Sequence, residues 1–171
     1  MARRFGGRGE DWVLVDNATS GVNAVIGSLK LKPGYDDAEF NLGMLLLRAG
    51  RPGDAVAHLE ATVRRRPDSL GARFHLGLAL VNLGRNAEAI PHFESALRLD
   101  TTHPEIPDSL GVALVNTGRA IEAVPHYETA LRRREDYAPA HLHLALALAQ
   151  LGRKAEAKTH YDRARSLDPS T

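Results

Sequence analysis

Apolar residues recur along this chain as pairs of helical stripes. In residues 70–103, Leu76, Leu80 and Leu83 follow i, i+4, i+7 spacing, and Ala89, Phe93, Ala96 and Leu97 form a second stripe. Between them, Gly84-Arg85-Asn86 is a short glycine turn that stops one helix and lets the next fold back. The segment therefore predicts a helical hairpin. The same pattern returns every 34 residues in windows 36–69, 70–103, 104–137 and 138–171. Equivalent positions read Leu42, Leu76, Leu110, Leu144, then Gly43, Gly77, Gly111, Ala145, and the turn recurs at Gly50-Arg51, Gly84-Arg85, Gly118-Arg119 and Gly152-Arg153. In the second helix, Ala55, Ala89, Ala123 and Ala157 precede the large Leu59, Phe93, Tyr127 and Tyr161, and the small Thr62, Ala96, Ala130 and Ala164 follow. Each copy buries its apolar face only by stacking on its neighbours.

This order of Leu-Gly, a bulky residue, Ala, an aromatic and a small residue resembles the tetratricopeptide repeat, over 136 of 171 residues. The resemblance implies an all-α, right-handed solenoid of four hairpins acting as a protein-interaction scaffold. The early Trp of the pattern is replaced by Glu39, Arg73, Pro107 and His141, and the closing Pro survives at Pro67 and Pro169. Pro91 and Pro125 fall about one turn into second helices, where a lost bond costs less than in mid-helix. Gly43, Gly77 and Gly111 each cost roughly 1 kcal/mol against Ala in a helix, which predicts a neighbour packed on bare backbone.

Two further features concern the ends. The apolar pairs Val56/Val63, Ile90/Leu97 and Val124/Leu131 become Lys158 and Arg165 in the last repeat, the polar outer face expected of a terminal repeat. Residues 1–33 lack the full repeat: 1–19 read as a tail with a short strand from Trp12 to Val15, and 20–33 as a capping helix hiding Val22, Val25, Ile26 and Leu29. The stretch from Glu10 through Asp16-Asn17-Ala18-Thr19-Ser20 to Val25 is similar to class V pyridoxal-phosphate aminotransferases of the isopenicillin N epimerase type. In that family the turn opens a helix whose amides hold the cofactor phosphate, which here implies Ala18, Thr19 and Ser20. The cofactor lysine and the substrate arginine lie outside the stretch, so it is read as a fused piece reused as a cap, with no cofactor bound.

Composition narrows the function further. Net charge is +1, from 22 basic and 21 acidic residues, so no global field favours nucleic acid or membrane. There is no run of apolar residues long enough to span a bilayer and no signal peptide, which points to a cytoplasmic protein. Absence of cysteine removes thiolate chemistry. Four histidines recur at the period, His58, His92, His126 and His160, each with an acid four residues earlier at Asp54, Glu88, Glu122 and Glu156, so i, i+4 pairing is expected. A second such row is Glu60–Arg64, Glu94–Arg98 and Glu128–Arg132. Equivalent histidines about 10 Å apart cannot share a metal, and His141 and His143 point to different faces. No nucleophile elbow, phosphate loop or zinc motif is present, so no catalytic residue or metal site is assigned.

By the resemblance, a partner lies in the concave groove lined by first helices. The groove positions are Phe40, Asn41, Met44, Leu47 and Arg48; then Phe74, His75, Leu78, Val81 and Asn82; then Asp108, Ser109, Val112, Val115 and Asn116; and finally Leu142, His143, Leu146, Ala149 and Gln150. Asn82, Asn116 and Gln150 form an amide rail able to serve a ligand's backbone, or equally to cap helix ends. The full first helices hold no lysine, so the two-lysine carboxylate clamp is absent. The expected partner is an extended peptide or helix, neutral to slightly basic. The alternatives are a structural or self-assembling spacer module of a larger protein and the remnant of a pyridoxal-phosphate-dependent enzyme.

Overall fold

The structure, a computed structural model, describes residues 36–169. Those residues form eight helices: α1 (Asp36–Arg48), α2 (Pro52–Arg65), α3 (Leu70–Asn82), α4 (Asn86–Leu99), α5 (Glu105–Asn116), α6 (Ala120–Arg133), α7 (Ala138–Gln150) and α8 (Lys154–Leu167). The four hairpins fall in the windows set by the period. The strand at 12–15, the capping helix at 20–33 and the phosphate-binding turn expected at 18–20 lie outside the described residues.

The Gly-Arg turn closes each hairpin by one mechanism. Gly84 has φ of +74°, with Gly50, Gly118 and Gly152 between +70° and +80°. In this left-handed conformation a Cβ is penalised, which explains glycine at the position. The Gly84 amide donates to Val81 O at 2.9 Å and the Arg85 amide to Leu80 O at 2.8 Å, satisfying carbonyls the helix end would otherwise leave open. The turn arginine then reaches forward onto the new helix. Arg85 Nε and Nη2 donate to the two oxygens of Glu88 at 2.7 Å each, and Arg119–Glu122 and Arg153–Glu156 repeat the fork.

That fork corrects the expected acid–histidine pairs. Asp54, Glu88, Glu122 and Glu156 all bond the turn arginine three residues before them, not the histidine four residues after. A guanidinium is always charged and two-pronged, whereas a neutral imidazole offers one donor. The second row forms only in part. Arg64 lies 3.5 Å from Glu60, but Arg98 and Arg132 turn instead to the hydroxyls of Ser95 and Thr129.

Packing explains the glycines inside first helices. A Cβ on Gly77 would stand 2.5 Å from the Phe93 ring, and one on Gly111 2.5 Å from the Tyr127 ring. Leu59 plays the same part over Gly43 at 2.7 Å. The bare backbone is what lets the large residue of the second helix enter, and Leu59, Phe93 and Tyr127 are buried to within 1% of complete. Around them, Leu42, Leu76, Leu110 and Leu144 and the alanine columns form one continuous core.

Each helix packs on the helix before and after it, and first helices also touch the first helices of adjoining hairpins. Second helices make no comparably extensive contact with one another. The stack therefore closes toward α1, α3, α5 and α7 and splays open on the side of α2, α4, α6 and α8. Val56, Ile90 and Val124 are buried, whereas Lys158 and Arg165 on α8 are exposed.

Candidate partner-binding face

The first helices carry a row of apolar residues at the period: Met44, Leu78, Val112 and Leu146. The first three are half-buried, and Leu146 is 54% exposed. Four residues further along each helix, on the same side, stand Arg48, Asn82, Asn116 and Gln150, all exposed. Leu47, Val81 and Val115 are half-buried and packed against the core. The first helices thus present an apolar strip edged by polar side chains.

The amide rail is not uniform. Asn116 Nδ2 donates to Asn86 Oδ1 of the preceding hairpin at 3.0 Å. Asn82 and Gln150 make no hydrogen bond among the described residues. None of the three caps its helix: the last carbonyls of α3, α5 and α7 are taken by backbone amides, with the Thr117 hydroxyl assisting on α5.

Nearer the helix starts, the groove positions form junctions between hairpins. Phe40 meets His75 edge-on, with ring centroids 5.6 Å apart. His75 is fixed by donating from Nδ1 to Gly71 O at 2.8 Å. Phe74 packs on both His75 and Phe93, so it is a core residue as much as a groove residue. In the third hairpin the equivalent of Phe40 is Asp108, and there His143 Nδ1 donates to Asp108 Oδ1 at 2.9 Å. Asp108 is buried, the one acid in the core of the described residues. Asn41 is exposed, and Ser109 and Leu142 are half-buried. The sequence held a signal for the Asp108–His143 pair, an acid in an otherwise apolar column, although residue spacing alone does not show which side chain answers it.

Three of the periodic histidines, His58, His92 and His160, lie near the missing-Trp column of their own hairpin. His58 Nδ1 donates to Glu39 Oε2 at 2.6 Å. His92 sits near Arg73 and leaves a buried Nδ1 without a partner among the described residues. Burial, then the Arg73 charge, pushes its pKa down. His126 is lowered too, chiefly by burial. His160 stacks on His141, with their Nδ1 atoms 3.0 Å apart. Because His141 Nε2 donates to the Glu135 carbonyl at 2.9 Å, its Nδ1 accepts from His160. His143, two residues on, faces Asp108, so the expected divergence of His141 and His143 is observed. An open cleft of about 440 Å³ lies beside this pair, lined by Glu128, Leu131, Arg132, Glu135, Leu144 and His160. Among the described residues no group of three or more His, Cys, Asp or Glu could hold a metal ion, and no helix is long and apolar enough to cross a membrane.

Comparison with known proteins adds the family. The model of the tetratricopeptide repeat matches residues 40–104 and 109–170, most of the chain. The chain belongs to the tetratricopeptide repeat family. Among solved structures, one described as a crystal structure of MamA superposes with a TM-score of 0.79 at 22% identity, covering 89% of this chain and 91% of that one. MamA AMB-1 gives a TM-score of 0.77 at 25% identity, covering 90% of each chain. A double mutant of MamA RS-1 gives 0.79 at 17% identity, covering 89% of this chain and 88% of that one. No curated protein matches the chain. Tetratricopeptide repeat proteins bind proteins or peptides, and the chain is a protein-interaction scaffold of that class.

Proposed function

We propose that the chain is an adaptor holding an extended, neutral to slightly basic peptide along the inner face of its first helices. The observation that carries this reading is the row Met44, Leu78, Val112, Leu146 beside Asn82 and Gln150, which have no hydrogen-bond partner among the described residues. An extended peptide could bury alternate side chains on the apolar row while its backbone bonds to the amides. Leu146 is the anchor left most open.

The test compares affinity capture by wild type with capture by an Asn82→Ala/Asn116→Ala/Leu146→Ser variant, whose changes lie at exposed positions and should leave the helical spectrum intact. A control, Ile121→Ser, alters a side chain 75% exposed at the start of α6 on the outer side. Loss of partners by the triple variant alone supports the groove. Loss by the Ile121 variant alone would move binding to the outer face.

Ile121 also favours the second reading, a self-assembling spacer, since a large exposed apolar residue suits a contact between copies. Sedimentation that does not change with concentration would remove that reading. Residues 10–25 we read as a fused piece without catalytic or cofactor role; a cofactor absorbance band after incubation with pyridoxal phosphate would overturn this.

A further inference from the structure

One junction between first helices departs from the others in charge. At 34-residue intervals the column reads Phe40, Phe74, Asp108 and Leu142, so the fold accepts an apolar residue here in three repeats of four. The next hairpin supplies His75 opposite Phe40 and, 35 residues after Asp108, His143. Histidines at equivalent repeat positions are therefore held against a phenyl ring at one junction and a carboxylate at another. Stability does not ask for the acid, because a buried ionised carboxylate is costly unless fully paired. The pairing is also incomplete. Among the described residues Asp108 receives one hydrogen bond, from His143, whereas a carboxylate accepts several. Nor does the start of α5 depend on it, since Glu105 already places a negative charge in the first turn.

The surroundings suit a cation. Tyr127 stacks at a tilt against His143, with centroids 5.9 Å apart, and burial first, then the Asp108 charge, raises the pKa values of both Tyr127 and Tyr137. A carboxylate bordered by aromatic rings is the chemistry that accepts an ammonium or guanidinium. His143, which holds Asp108, keeps its side chain 32% exposed, beside the 7% exposed side chain of Asp108.

We propose that Asp108 is the charge-reading position of the inner face and accepts one lysine or arginine side chain of the bound peptide. This rests on the groove reading above and gives it a specificity: extended peptides with a basic residue at a fixed place, flanked by apolar ones.

The test pans a phage-displayed random peptide library against the full chain and its Asp108→Asn and Asp108→Leu variants. Wild type is expected to select peptides with a basic residue at one register. Both Asp108 variants should lose that enrichment, and bind the best wild-type peptide about tenfold or more weakly. Asp108→Leu, which restores the column's apolar character, should melt no lower than wild type. The assignment is overturned, with the groove reading intact, if peptides are selected without a basic position or if the Asp108 variants keep the preference. A lower melting point for Asp108→Leu with unchanged selection would mark the pair as purely structural, also against it. If wild type selects nothing, or the selected peptides still bind the Asn82/Asn116/Leu146 variant, the groove reading falls and takes this one with it.

Discussion

The third and fourth hairpins share a plan and differ in what surrounds them. In the third, Gly111 admits Tyr127, which is 1% exposed, and Val124 is buried. In the fourth, Ala145 stands at the glycine position, Tyr161 is 42% exposed, and Lys158 and Arg165 replace the apolar pair. Within α8 only Ala157 and Ala164 are buried, whereas α6 buries Ala123, Val124, Tyr127 and Ala130. The aromatic is present in both and does different work. A repeat's side chain stabilises in proportion to what the adjoining repeat lays over it, not according to its own identity.

The largest contrast is expected from truncating the two tyrosines. Tyr127→Ala should cost about 3–5 kcal/mol in urea unfolding, the usual loss for a fully buried aromatic. Tyr161→Ala should cost about 1 kcal/mol or less, being partly solvated already. Equal losses would mean that the two repeats are buried alike and would end the comparison.

A smaller effect separates the small residues beneath those rings. Gly111→Ala should lower stability by up to about 2 kcal/mol, because overpacking against Tyr127 outweighs a helix-propensity gain of about 1 kcal/mol. In a Tyr127→Ala background the same change should turn stabilising. Ala145→Gly should cost about 1 kcal/mol whether or not Tyr161 is present. A Gly111→Ala penalty that persists without the tyrosine would show that the ring is not the obstacle.

The smallest effect is acid sensitivity. His92, His126 and His160 have folded pKa values below the ordinary 6.5, burial being the first cause in each. The unfolded chain then binds protons that the folded chain resists, so stability is full above about pH 6.5 and falls as pH drops below it. His126→Phe should flatten this fall for the third repeat. For the fourth, His160→Phe also removes the repulsion from His141, and should flatten it with a loss of the stacked pair. Denaturant midpoints measured between about pH 7 and pH 5 would reveal it, and a flat profile in wild type would contradict the linkage.

The hairpins, their turns and the close approach over Gly77 and Gly111 were legible in the sequence, because a large residue and a missing side chain recurred at fixed offsets. The ion pairs were not. The i, i+4 rule treats a helix alone, and it overlooked Arg85, Arg119 and Arg153, which sit outside the helix and reach its first-turn acids before any histidine can. Asn116 was read within its own helix as well, while its partner Asn86 lies a hairpin away. Along the candidate face, the apolar strip follows from the repeat, but which amides stay free and what answers Asp108 depend on junctions that a one-dimensional period does not display.

Among the described residues, extensive contacts between helices reach no further than the adjoining hairpin. Length is therefore available only in steps. A duplication that adds 34 residues at a Gly-Arg turn should extend the rod by one rung and leave every earlier side chain with the surroundings it has now. An insertion of any other size inside a helix would rotate all later columns out of phase. Gene duplication and small indels thus have opposite fates here, and the interior length of such a protein should drift over evolution in whole rungs, with smaller changes confined to its turns and ends.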